Sequence, residues 1–320
     1  MTQYRAARGK ASRTILLSMF IILSVAACAS PGAAAVGPQQ SPLSPQRFAI
    51  QWAAYLGATE GQPIYLQLAF VDYTGSPLPT TPKMTNVRLM TDQGAVPANI
   101  DSVNASASIG NYHPFTALAE IAPLGARSYR WHAIEYTDGL GNDRRLDVGS
   151  WRLDVVPVDE GAPEVGGHTV GSTAFGYLEA DLQNSGPDPL VLEGVEGSPP
   201  TLRVEAQASV HATEATAGTS PGTSAPPVLV TQPAGGLLPV SLASHERETL
   251  AVSFTADAPP DEIDFVQIQP FLLYRVGNDA TARRYPLPLQ VYSAALAPDS
   301  LTAYLQSLPS AASHPLPAGS

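Results

Sequence analysis

The chain has 320 residues, with 17 Lys and Arg against 28 Asp and Glu, a formal net charge of −11. A hydrophobic share of 44% is enough to build cores and excludes wholesale disorder. With 31 prolines, 26 glycines and only 14% charged residues, the chain is not a Lys/Glu-rich helical protein, and one cysteine excludes an intramolecular disulfide or a cysteine-cluster metal site.

The N-terminus carries the most specific signal. Arg5, Arg8, Lys10 and Arg13 form a basic stretch with no acidic residue. From Ile15 to Ala27 the chain is predominantly apolar, but shorter than the roughly 20 residues that span a bilayer. This is the pattern of a secretory signal peptide over residues 1–27. It ends Leu23-Ser24-Val25-Ala26-Ala27-Cys28, with small residues before the only cysteine of the chain. That ending resembles the lipobox of bacterial lipoproteins. The resemblance implies that Cys28 is diacylglycerylated and becomes the first residue of the mature chain. It also implies an extracytoplasmic protein held to a bacterial membrane by N-terminal lipid. Two or three acyl chains anchor stably, since each buried methylene contributes about 0.8 kcal/mol. Ala29 follows the cysteine, where an Asp would have resembled an inner-membrane retention signal.

Removing residues 1–27 takes away four of the 17 basic residues. The mature chain then holds 13 basic against 28 acidic residues, a net charge of −15. That argues against nucleic acid and against electrostatic attraction to anionic headgroups. Residues 28–45 are chargeless and rich in Pro, Ala, Ser and Gly, and read as a lipid-anchored flexible tether.

Residues 46–156 read as a first β-sandwich domain. Ile64, Leu66, Leu68 and Phe70 alternate with less apolar neighbours, as do Tyr129 to Tyr136 and Trp151, Leu153 and Val155. Turns at Asp72–Gly75, Asp92–Gly94, Pro123–Gly125 and Asp138–Asn142 separate about seven short strands. That spacing, with no long helix, predicts an immunoglobulin-like sandwich. The stretch Tyr136–Asn142 is also similar to the last hairpin of many bacterial immunoglobulin-like domains.

Residues 157–167, acidic and Pro/Gly-bearing, read as a linker. Residues 168–296 read as a second sandwich. Its expected strands include Phe175–Leu182, Leu190–Leu192, Leu202–Ala206, Val228–Val230, Leu237–Leu242 and Leu250–Phe254. Phe265–Val276 reads as a strand pair or a strand bent at Pro270. Pro286 and Pro288, without ladder N–H groups, place the last strand at an edge or with those nitrogens outward. The low-complexity run 213–227 reads as a disordered insertion between strands. In the tail, 297–320, Asp299 caps a short helix over Ser300–Leu308 that Pro309 ends, with a disordered remainder. The expected fold class is therefore all-β, two tandem immunoglobulin-like sandwiches behind a signal peptide and tether.

The chemistry is sparse. Of the six histidines, none is paired at metal-ligand spacing, and His245-Glu246 lacks the second histidine of a zincin helix. The elbow Gly-x-Ser-x-Gly is absent. Acidic groups at Asp138/Asn142/Asp143, Asp159/Glu160 and Asp261/Glu262/Asp264 read as solvated turns rather than calcium sites, which need roughly six to eight converging oxygens. Trp131 and Tyr129 share a strand face and read as core rather than as a carbohydrate platform. The expectation is a non-catalytic envelope lipoprotein, without cofactor or metal, whose one assigned site residue is Cys28. It displays its domains to another envelope protein or a polysaccharide. The alternatives are an accessory or assembly subunit of an envelope complex, and an envelope hydrolase with a histidine beside a serine or carboxylate.

Overall fold

The computed structural model describes residues 46–73, 83–108, 111–167, 170–172, 176–212, 236–256 and 265–293. The signal peptide, Cys28, the tether, the 213–227 insertion, the Val228–Val230 strand and the 299–308 helix lie outside the described residues. The described residues are strands and connections, with no helix among them.

The first half carries β1 (Gln46–Ala49), β2 (Trp52–Thr59), β3 (Ile64–Tyr73), β4 (Met84–Thr91), β5 (Gly94–Ala105), β6 (Tyr112–Ile121), β7 (Ser128–Asp138) and β8 (Asp143–Val156). One sheet runs β1-β3-β6-β5, all antiparallel. The other runs β5-β4-β7-β8-β2, antiparallel except for the parallel pair of β2 with β8. The chain thus switches partner after Ala49, with β1 antiparallel to β3 and β2 parallel to β8. β5 also changes sheet. Gly94–Pro97 pair with β4 and Ala98–Ala105 with β6. This is the strand order of an immunoglobulin-like sandwich. The alternation read in the sequence places Leu66, Leu68, Phe70, Tyr129, Trp131, Trp151 and Leu153 in one core.

The second half carries β9 (Glu164–Gly166), β10 (Val170–Ser172), β11 (Tyr177–Gln183), β12 (Leu190–Glu196), β13 (Val204–Ala212), β14 (Gly236–Leu237), β15 (Val240–Leu242) and β16 (Arg247–Ala256). It continues with β17 (Phe265–Gln269), β18 (Phe271–Val276), β19 (Arg283–Pro286) and β20 (Gln290–Ser293). One sheet runs β14-β13-β16-β11-β9 and faces another, β15-β12-β18-β19. Between them lies a core of Leu178, Leu182, Leu192, Leu250, Val252, Leu272 and Tyr274. β9 falls inside the acidic stretch read as a linker. There Asp159 accepts from the Tyr274 hydroxyl and from Arg283, so that stretch is tied to the second core.

Pro270 does bend the strand at Phe265–Val276, and the bend moves the chain from one sheet to another. β18 stays in the second sandwich, whereas β17 pairs in parallel with β2 of the first, Phe265 opposite Trp52 through Gln269 opposite Leu56. The last strand does the same at its prolines. β19, ending at Pro286, is a sheet edge beside β18, whereas β20 pairs with β17 and with β10. Proline removes a ladder donor, so a strand crosses between sheets most easily where proline already interrupts the ladder. The two breaks are joined by Leu287 N–H donating to Pro270 O at 2.8 Å. The outcome is one eleven-stranded sheet, β1-β3-β6-β5-β4-β7-β8-β2-β17-β20-β10, running through both halves. All described residues fall in a single compact unit.

Candidate functional site

The contact between the halves and a groove in the second half both bring together side chains from distant parts of the sequence.

The contact is built on β2. Its run Trp52-Ala-Ala-Tyr-Leu-Gly-Ala is buried on both faces. Trp52 meets the Phe265 ring edge at 4.8 Å, and Ala53 packs with Val266 and Ile268 in a small separate cluster. Tyr55 meets Phe271 edge-on at 6.4 Å, and a Cβ on Gly57 would lie 2.9 Å from that same ring. Gly197, with φ of +146°, sits where a Cβ would lie 2.6 Å from the Tyr55 ring, so both backbone angle and space demand glycine.

Polar groups close this contact. The Gln267 side chain is fully buried. Its amide donates to Gln67 O at 2.5 Å, and its carbonyl accepts from Gln67 N at 3.3 Å. Gln67 lies on β3 beyond the reach of β1, which pairs only with Phe70–Tyr73. One carboxamide therefore does there what a neighbouring strand's peptide would do. On the outer face of β2, the Tyr55 hydroxyl donates to Asp154 at 2.9 Å, and Asp154 also accepts from Ser128 at 2.6 Å and from Arg152. Burial alone would raise the Asp154 pKa. The bonds from Arg152, Ser128 and Tyr55 outweigh it and hold the carboxyl below its usual value. Burial, then the Asp154 charge, push the Tyr55 hydroxyl up, so it remains a donor. Arg284 of β19 pairs with Glu196 at 2.7 Å at the rim.

The groove lies between β12 and β13. A bulge between Leu192 and Gly194 turns β12 aside, and β15 pairs only with Leu190–Leu192. Among the described residues, Gly194–Glu196 of β12 and Glu205–Gln207 of β13 each pair on one side only. The space between holds about 240 Å³, lined by Glu193, Val195, Ala206, Ala208, Leu237 and Leu238 among others. Leu237 at its mouth is 61% exposed.

The other candidates have structural employment. Trp52, Trp131, Trp151 and Tyr129 are core residues, and Trp131 stacks on Trp151 at 5.3 Å. Asp138 accepts from the backbone N–H of Leu140 and Asn142 and from Arg144, which bring its pKa down to about 2 against the opposing effect of burial. Those bonds shape the turn read at Asp138–Asn142. His245, at φ +63°, sits on the turn between β15 and β16. Asp261, Glu262 and Asp264 lie outside the described residues. Among the described residues, no three His, Cys, Asp or Glu side chains are grouped so as to hold a metal ion.

Among the described residues, the nearest approach to a hydrolytic arrangement is His113, whose Nδ1 shares a 2.7 Å hydrogen bond with Ser108 Oγ. Asp72 is its cross-strand partner. In a Ser-His-Asp triad the carboxylate holds Nδ1 and the serine faces Nε2. Here the serine occupies Nδ1, and both Asp72 oxygens accept from Arg47, at 2.7 and 2.9 Å. Arg47 in turn lies over the Phe115 and Tyr136 rings.

Sequence reasoning did not find Gln267, Tyr55, Asp154 or the groove. One signal was present. An uninterrupted apolar run such as Trp52–Ala58 marks a strand covered on both faces, which a lone sandwich edge is not.

No protein family matches this chain, and no curated protein matches its sequence. Solved structures overlap it weakly. A protein of unknown function from Porphyromonas gingivalis W83 is 11% identical with a TM-score of 0.21, over 78% of this chain and 99% of that one. The fibronectin(III)-like modules of Clostridium thermocellum CbhA are 10% identical with a TM-score of 0.20, over 78% and 93%. The C-terminal domain of the Streptococcus agalactiae AgI/II polypeptide BspA is 10% identical with a TM-score of 0.20, over 78% and 100%. Overlaps of this size carry no argument about activity. The class defined here, an all-β protein of immunoglobulin-like sandwiches, rests on the strand order itself.

Proposed function

We propose that this chain is a non-catalytic lipoprotein of a bacterial cell envelope. It is anchored through lipid on Cys28 and displays its β-sandwich body outside the cytoplasmic membrane as a binding or structural module. The observation that carries this reading is the run Leu23–Cys28: the only cysteine follows small residues at the end of a basic-then-apolar leader. The structural employment of the tryptophans, His113 and Asp138 supports the non-catalytic part. The partner is another envelope protein or a polysaccharide. A second reading, an accessory subunit of an envelope complex, is favoured by the groove, because two one-sided strands beside exposed Leu237 suit an added protein strand.

Intact mass of the membrane-extracted chain tests the anchor, with Cys28→Ala beside it. The expected result is a chain beginning at Cys28 with added acyl mass, and a variant that loses that mass and leaves the membrane. An unmodified soluble chain with a free thiol would overturn it.

A further inference from the structure

We propose that the two sandwiches are joined by a fixed joint and not by a hinge: the second half donates β17 to the β2 edge of the first, and the halves fold as one cooperative body. This inference is independent of the lipid anchor and holds equally for a soluble chain.

Without β17, β2 would be the open edge of the first sandwich. That edge would be eight residues long with Ala53 and Tyr55 buried on its outer face. Natural proteins avoid such edges by shortening, charging or covering them, because a long apolar edge recruits foreign strands. β2 carries no charge and no proline, so covering is the device in use. The cover is specific in register, since Phe265 and Gln267 alternate with Val266 and Ile268. The first pair reaches the first core and Gln67, and the second pair fills the cluster with Ala53, Leu202 and Tyr292. A slip of one residue would exchange these faces and leave the Gln267 carboxamide without Gln67. The same strand continues through Pro270 into β18, whose Leu272 and Tyr274 belong to the second core. Both cores therefore share one uninterrupted segment of chain, and β20 and β10 extend the same sheet beyond it. Rotation between the halves would have to break the β2–β17 ladder, both Gln267 hydrogen bonds and the Tyr55–Phe271–Gly197 contact together.

The test is urea unfolding of the full mature chain followed by two local probes. All three tryptophans lie in the first half, so their fluorescence reports it. Hydrogen exchange at Leu250–Phe254 reports the second. In the native sequence the two midpoints coincide. Gly57→Ala drives a Cβ into Phe271 and Gln269 O without removing a polar partner. It separates the midpoints by about 1 M urea, the second half opening first. Gln267→Leu, which strips Gln67 of its side-chain partner, is the second joint variant and splits the transition in the same sense. Two separate midpoints in the native chain would overturn the proposal. So would coincident midpoints at unchanged urea concentration in both variants.

Discussion

Three tryptophans fill the first sandwich: Trp151 stacks on Trp131 at 5.3 Å and meets Trp52 at 6.0 Å. The second is packed mainly with leucines and valines around Tyr274 and Phe254, and among the described residues a groove separates β12 from β13. In the first half β5 changes sheet after Pro97, and both sheets it joins belong to that half. The second half breaks two strands at Pro270 and at Pro286–Pro288, giving β17 to the β2 edge of the first half and laying β20 alongside β17. The two halves are not equal partners. The first is a nearly self-contained sandwich with one edge left to cover. The second is an incomplete one that reaches across to cover it.

The comparison can be broken most severely in the first core. Trp151→Ala removes a fully buried ring from between two others, and a loss of about 3–5 kcal/mol is expected in denaturant titration. If the halves are coupled, the second half loses protection with it.

Asp154→Ala acts next in size. It leaves the buried Tyr55 hydroxyl without an acceptor and frees Arg152. The expected cost is about 2–3 kcal/mol at pH 7, read by the same titration. The pH dependence has a definite sign. A carboxyl whose folded pKa lies below its unfolded value contributes fully above about pH 4. Its contribution is lost as pH falls through the folded value. The variant should therefore show a shallower loss of stability than the native protein as pH falls below about 4.

A smaller effect belongs to the turn of the first half. Asp138→Ala removes the acceptor for two backbone N–H groups and for Arg144, and should lower stability by about 1 kcal/mol. Its carboxyl, at about 2, follows the same sign as Asp154 with acid. The smallest effect sharpens the contrast between closed and open flanks. Leu237→Ser at the groove mouth should leave stability within about 0.5 kcal/mol, since the side chain is mostly in solvent. A larger loss would mean the groove is filled by the chain's own packing.

The individual strands were legible wherever one face meets water. Ile64–Phe70 and Trp151–Val155 alternate because the pleat sends successive side chains to opposite sides. The Asp138–Asn142 turn was legible because its carboxylate and glycines serve local geometry. The Pro270 bend was legible as a bend. Its consequence was not, because alternation says which face is buried and nothing about which strand lies alongside. Gln267 looks in the sequence like a polar residue on the wet side of a strand. It is fully buried only because Gln67, 200 positions earlier, has a free backbone edge facing it. The groove was illegible for a related reason. It arises from a bulge at Leu192–Gly194 that no turn residue announces beyond a single glycine.

The most direct measurement is amide hydrogen exchange along β17 and β2 in the native full chain. The account predicts that Val266–Ile268 and Ala53–Leu56 exchange slowly and together with the β7 and β8 amides of the first core. Rapid exchange at Val266–Ile268, with β18 and the first core both still protected, would contradict it.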